Sequence, residues 1–159
     1  MKRLISALVQ DKPGVMNRIS SLFRRRGFNI ESIAVGPSEQ EGFSRMTIVA
    51  ENAPTGAVDQ LTKQLYKVVE VVRATDITEQ ETVAKETIFV KVRANSEARA
   101  DVIRIAEVLK AEVADIATES MILELTGDTG QIARLLDLLT PFGIKEIVRT
   151  GQIAITRGE

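Results

Sequence analysis

Residues 6–39 read SALVQDKPGVMNRISSLFRRRGFNIESIAVGPSE, and this stretch decides the fold because it passes from a strand pattern to a helix pattern and back. Residues 4–9 form a short apolar run typical of a strand, and residues 11–14 follow as a tight turn with a proline suited to a first helical turn. A helix is then predicted by apolar residues at helical spacing, namely Val15, Ile19, Leu22 and Phe23. It should end at Gly27, a residue suited to a C-terminal cap.

The rest of the first half completes one ferredoxin-like unit. Residues 28–35 and 43–50 are predicted to be strands joined by a hairpin connection, and the valine-rich residues 68–75 favour a last strand. Between them, a second amphipathic helix has its apolar stripe at Val58, Leu61 and Leu65. The order βαββαβ is that of ferredoxin-like folds, in which both helices cover one face of an antiparallel sheet.

The second half repeats this plan after a polar segment. Residues 77–85 carry no strong apolar pattern and are predicted to link a first domain, residues 1–76, to a second, residues 86–159. Helices in the second domain are indicated by the stripes Val102, Ile105, Ala106 and Leu109, and Ile132, Leu135, Leu136 and Leu139, the first behind a cap at Asn95 or Ser96. The predicted strands cover residues 88–94, 113–117, 121–126 and 144–155, the last with a bulge at Gly151. We therefore predict an α+β protein of two tandem βαββαβ domains.

The composition excludes several classes of protein. The chain has no cysteine and no histidine, which removes disulfides, thiol nucleophiles, Ser-His pairs and zinc sites built from sulfur or imidazole. A formal net charge of -1 and few aromatic residues argue against a nucleic-acid binder. No stretch approaches the roughly 20 apolar residues of a membrane span, and the first residues turn polar too early for a signal peptide, so we expect a cytoplasmic protein. No catalytic or metal-binding motif occurs, and we expect no enzymatic activity and no metal site.

Two features could hold a small ligand. The loop at residues 11–14 precedes a helix whose first N–H groups and positive dipole end suit a carboxylate, and Gly14 leaves its backbone approachable. Asn29, at the start of the second strand, offers an amide that can bind a carboxylate or an ammonium. Each feature alone is more typical of an ordinary turn, but the two together, from neighbouring protomers, could enclose one small molecule. Small domains with open sheet edges also favour self-association, so we expect a homodimer or higher homo-oligomer.

The chain resembles a known regulatory family. Residues 6–39, with the later FSRMTI and KQLYKVVEVVRATDI, closely resemble the N-terminal ACT domain of the small, regulatory subunits of acetolactate synthase (acetohydroxyacid synthase), and EIVRTGQIAITRG resembles their C-terminal domain. The resemblance implies a non-catalytic subunit that activates a large catalytic subunit and confers feedback inhibition by a branched-chain amino acid, usually valine, on valine, leucine and isoleucine synthesis. It implies no cofactor in this chain, and thiamine diphosphate, magnesium and FAD in the catalytic partner.

The resemblance also implies where the effector binds. In such ACT domains the effector lies at a dimer interface, where the loop after the first strand of one protomer faces the start of the second strand of the other. Carried over to this sequence, the site comprises Asp11, Gly14, Val15 and Met16 on the loop side, and Asn29 and Ile30 on the strand side. Val15 and Ile30 are expected to form an apolar wall for a branched side chain. Asp11 departs from the asparagine of many family members, and its carboxylate would attract the effector's ammonium and repel its carboxylate.

Two other functions fit a ferredoxin-like fold. One is a stand-alone amino-acid-binding ACT regulator of another partner; a DNA-binding version would need a basic recognition helix, which the sequence does not contain. The other is a small hydrolase that uses Arg18 and Asn29, but no activated nucleophile accompanies them. Turnover by the purified chain alone would separate an enzyme from a regulator.

Overall fold

The computed structural model describes residues 2–51 and 56–158, and these residues form two compact units. One unit is Lys85–Gly151, and the other contains the described residues before Lys85 together with those after Gly151. Each unit contributes two of the α-helices of the described residues, which are α1 (Val15–Arg25), α2 (Ala57–Leu65), α3 (Arg99–Leu109) and α4 (Thr129–Leu139). None of these helices is long and apolar enough to cross a membrane.

The first unit has the predicted βαββαβ order. Its antiparallel strands are β1 (Arg3–Gln10), β2 (Asn29–Pro37), β3 (Phe43–Glu51) and β4 (Val71–Asp76). They lie in the order β2-β3-β1-β4, so β2 and β4 form the edges of this sheet. The predicted apolar stripes of both helices are confirmed, because their members are buried against one face of the sheet: Val15, Ile19, Leu22, Phe23, Val58, Leu61 and Leu65.

The end of α1 confirms the cap predicted at Gly27. Gly27 has φ +75°, and its N–H donates to the carbonyl of Arg24 at 3.1 Å while the Phe28 N–H donates to the carbonyl of Phe23 at 3.0 Å. This pair of bonds satisfies two of the last helical carbonyls, and the ring of Phe28 packs edge-on against that of Phe23 with centroids 6.2 Å apart. The cap therefore joins the helix end to the start of β2 and to the core.

The second unit repeats the topology of the first. Its strands are β5 (Thr82–Arg93), β6 (Glu112–Ile116), β7 (Ser120–Gly127) and β8 (Ile144–Arg149), in the order β6-β7-β5-β8. The side chain of Asn95 accepts from the Ala98 N–H at 2.9 Å, but this bond closes a turn before α3, which begins at Arg99. The α+β class with two βαββαβ repeats is thus confirmed.

The end of the chain differs from the prediction. A single strand over residues 144–155 was wrong, because β8 ends at Arg149 and a separate strand, β9 (Ile153–Thr156), follows Gly151, whose φ of +81° turns the chain. β9 pairs with β5, and the Arg157 N–H donates to the carbonyl of Glu81 at 2.8 Å. Contacts place residues 152–158 in the first unit. The two observed units therefore differ in their residues from the predicted domains 1–76 and 86–159. The predicted linker 77–85 includes the first residues of β5.

Candidate functional site

The loop between β1 and α1 presents backbone donors without acceptors. Gly14 caps α1 with φ +84°, in the left-handed region that favours glycine, and its carbonyl accepts the first helical bond from the Arg18 N–H at 3.1 Å. Among the described residues, the N–H groups of Met16 and Asn17 have no acceptor, and the first turn of α1 contains no acidic residue. This helix start can therefore donate hydrogen bonds to an anion, with the helix dipole in support.

A salt bridge covers this loop. The guanidinium of Arg18 lies over Gly14, where an ideal Cβ would be 3.2 Å from Nη1, and it pairs with the carboxylate of Glu70, whose side chain is 17% exposed. The backbone carbonyl of Glu70 accepts from the Gln10 N–H at 2.8 Å, which anchors the pair at the end of β1. The sequence suggests a role for Arg18 only in the hydrolase alternative, and it gives no sign of a role for Glu70. The pair joins residues 52 positions apart, so no local pattern signals it.

The start of β2 is surrounded by negative charge, in contrast to the start of α1. Asn29 is exposed, and its Nδ2 donates to Oε2 of its cross-strand partner Glu51 at 3.2 Å. Nearby, Nζ of Lys2 lies 2.5 Å from Oε1 of Glu31 and 3.9 Å from Oε1 of Glu51. Two carboxylates against one ammonium leave an excess of negative charge, which suits an ammonium ligand. Glu31 and Glu51 were not predicted, because only the register of β2 on β3 brings them together.

Within one chain, the loop and the strand start lie at opposite ends of the sheet. Ile30 pairs with Ala50, and Ala50 pairs with Arg3 at the start of β1. Gln10, at the other end of β1, pairs with Phe43. The seven residue steps from Arg3 to Gln10 correspond to about 24 Å at roughly 3.4 Å per residue. One amino acid cannot touch both groups of residues in a single protomer, so a site that uses both needs two copies of the chain.

The predicted apolar wall needs a correction. Val15 is only 3% exposed, because it begins the buried stripe of α1 and its side chain packs against its own sheet. Ile30 is half-buried against the same core, whereas Met16 is 39% exposed and is the apolar side chain of the loop that a ligand can reach. Asp11 is exposed, and its N–H donates to the carbonyl of Gly42 at 2.9 Å. The side chain of Val15 is therefore not available to a ligand, and its N–H already donates to the carbonyl of Lys12 at 3.4 Å.

An open groove of about 610 Å³ lies beside the start of α1. None of the six predicted effector residues lines it, but it shares Asn17, Arg18 and Glu70 with the surroundings of the loop. Its other charged lining residues are all basic, namely Arg24, Arg25 and Lys67. This side of α1 is therefore electropositive, and its positive potential extends to the nearby loop at residues 11–14.

Comparison with known proteins identifies the family. A model described as an AHAS small subunit-like ACT domain matches residues 5–73, and a model described as the small subunit of acetolactate synthase matches residues 85–158. The acetolactate synthase small subunits of Bacillus subtilis and Mycolicibacterium smegmatis are each 44% identical to the chain, over 99% and 97% of its length and 92% and 90% of theirs. The chain belongs to the acetolactate synthase small-subunit family.

A solved small subunit of this family has the same fold. The crystal structure of the acetolactate synthase small subunit from Thermotoga maritima superposes with a TM-score of 0.89 at 37% identity, and the match covers 100% of this chain and 99% of that one. The ACT model at residues 5–73 contains the loop, Arg18, Glu70 and the start of β2. The family and the ACT domain inferred from the sequence are therefore confirmed, and the loop, the Arg18–Glu70 pair and the start of β2 all fall within the ACT domain.

Proposed function

We propose that this acetolactate synthase small subunit is a non-catalytic regulator that binds the large catalytic subunit, raises its activity and makes it sensitive to inhibition by a branched-chain amino acid, with valine as the first candidate. Family membership supports the regulatory role. The observation that supports an amino-acid effector is the charge of the two ends of the ACT sheet. The start of α1 with Arg18 suits a carboxylate, and the start of β2 with Glu51 suits an ammonium. The cofactors thiamine diphosphate, magnesium and FAD are assigned to the catalytic partner.

The proposed effector site forms between two ACT domains. β2 is an edge strand, and among the described residues no strand pairs with its outer side, so its outer backbone groups can pair with a strand of another molecule. Antiparallel pairing of β2 with β2 of a second copy would bring Asn29 of one copy towards the Pro37 end of the other, which is the end at which that copy's loop 11–14 lies. A two-fold axis makes two equivalent sites of this kind. Each would place donors for a carboxylate opposite acceptors for an ammonium.

Self-association is the first test of this site. We expect sedimentation at micromolar concentration to show a dimer or larger species with no dominant monomer, because the β2 edge is otherwise left uncovered. Adding valine should shift the distribution further towards the dimer, since a ligand bound across the interface stabilises it by mass action. A monomer that persists with and without valine would exclude the two-copy site.

Reconstitution tests the regulatory role. We expect the purified chain to produce no acetolactate, to increase product formation severalfold when it is added to the catalytic subunit, and to make that activity sensitive to valine. Titration with valine, isoleucine and leucine ranks the effectors, whose binding should differ by about 1–3 kcal/mol because they differ by one methylene or one branch point. Product from the chain alone would contradict the non-catalytic assignment. Effector binding with no effect on the catalytic subunit would favour a stand-alone ACT regulator.

A further inference from the structure

The sheet face opposite the helices of the first unit carries a regular pattern of polar residues. Leu8 of β1 lies between Arg45 of β3 and Arg73 of β4, so the two arginines occupy one row of the sheet with Cα atoms about 10 Å apart. In a neighbouring row, Ser6 lies between two threonines, Thr47 and Thr75. Side chains alternate between the faces of a strand, and the intervening Ala7 and Ala74 are buried on the helix side. Two cations therefore stand beside a row of hydroxyl groups.

The C-terminal strand turns this face into a cavity. Residues of β9 lie over the sheet, where the Ala154 N–H is 3.4 Å from Oγ1 of Thr47 and Thr47 is buried. The space between β9 and the sheet is partly open to solvent and has a volume of about 250 Å³, and Arg73 at its edge is exposed. Its lining residues all belong to the first unit, and those from β9 are Ala154, Ile155 and Thr156. This volume is below that of most drug-sized pockets and suits a small metabolite.

The positive charge of the cavity is not neutralised by acidic residues among the described residues that line it. None of the described residues that line it is acidic, and Arg45 already pairs with the exposed Glu39, with Nη2–Oε distances of 2.8 and 3.2 Å. Arg73 has no ion-pair partner within the described part of the chain. A guanidinium next to a second cation and several hydroxyl donors favours an oxyanion, because charge-assisted hydrogen bonds to it are short and strong.

We propose that this cavity between β9 and the open sheet face binds a small anion that carries a phosphate or carboxylate group. Arg73 supplies the uncompensated charge, Ser6 and Thr75 supply hydroxyl donors, and β9 covers the bound anion. The cavity shares no residue with the proposed effector site, so the two sites are independent in their chemistry. Binding should also hold β9 in place, because the anion contacts the sheet below it and the strand above it.

The experiment titrates the full-length protein separately with inorganic phosphate and with succinate, at low salt and at physiological ionic strength. Binding is followed by calorimetry and by the backbone amide resonances of Ser6, Thr75 and Ala154. We expect saturable binding of at least one anion, with shifts at these amides and none at Met16. Whichever anion binds more tightly identifies phosphate or carboxylate as the recognised group. Hydrogen exchange at Ala154 should slow on binding.

The variant R73Q should weaken binding of the anion by about tenfold or more, since it replaces a charge-assisted hydrogen bond with a neutral one. R134Q is the matched control, because it removes the same charge from an exposed position on α4 outside the cavity. Equal thermal unfolding curves for both variants would show that the fold is intact. Failure of both anions to bind at millimolar concentration, or equal weakening by R73Q and R134Q, would overturn the proposal and leave the effector site untouched.

Discussion

Gly14→Asp is expected to raise the valine concentration needed for half-inhibition of the reconstituted enzyme by at least about tenfold, while activation of the catalytic subunit is retained. The new carboxylate would lie within reach of Arg18 and would compete with the effector for that guanidinium. It would also repel the effector's carboxylate at the start of α1. Loss of one charge-assisted hydrogen bond, about 1.5–3 kcal/mol, corresponds to a change of this size.

The backbone conformation of Gly14 makes a second variant necessary as a control for Gly14→Asp. The sequence alone suggests that an acidic residue in a first helical turn is well tolerated, because it complements the dipole. The φ of +84° at Gly14 adds a backbone cost of about 1–2 kcal/mol for a residue with a Cβ, somewhat less for Asp or Asn. In Gly14→Asn the new side chain has nearly the same shape as that of Asp and the same backbone cost, but it carries no charge. Inhibition should therefore weaken more in the Asp variant than in the Asn variant, and equal sensitivity of Gly14→Asp and wild type to valine would exclude the loop as the effector site.

Phe23→Ala is expected to lower the free energy of unfolding by about 3–5 kcal/mol. Phe23 is 1% exposed, fills the space between α1 and the sheet, and packs against Phe28 in the cap that joins α1 to β2. Its removal leaves a cavity and loses the apolar contact of the cap. Because domains have only about 5–15 kcal/mol of stability in total, much of the first unit should unfold at 37 °C. Urea denaturation followed by circular dichroism measures the loss.

The control for this variant is Val69→Ala, which truncates a side chain that is 87% exposed in the connection before β4, at the opposite end of the sheet from Phe28. It should change the free energy of unfolding by less than about 0.5 kcal/mol. Effector binding should fall with Phe23→Ala, since α1 and β2 each carry one half of the proposed site. A loss of stability no larger in Phe23→Ala than in Val69→Ala would show that the cap and the core of the first unit are not arranged as described.

Some residues of the candidate site could be predicted from local sequence patterns, and others could not. Gly14 and Asn29 could be singled out because a glycine before a helix and an asparagine at a strand start have recognisable local patterns. Arg18 and Glu70 could not be paired, because their contact depends on how β4 packs beside β1. Similarly, Glu51 reaches Asn29 only through the register of two antiparallel strands, which no local pattern in the sequence specifies.

The sequence by itself determined the βαββαβ repeats, the buried stripes of α1 and α2 and the cap at Gly27, because helical periodicity, strand alternation and glycine conformation are local properties of the chain. It also carried the family resemblance. Only the tertiary structure decided where the C-terminal residues go, since β9 leaves the second repeat after Gly151 and covers the polar sheet face of the first unit. The structure likewise decided that the side chain of Val15 is buried and that the loop and Asn29 lie at opposite ends of the sheet in one chain. These properties depend on contacts between residues far apart in the chain, which packing and strand register fix and local patterns do not.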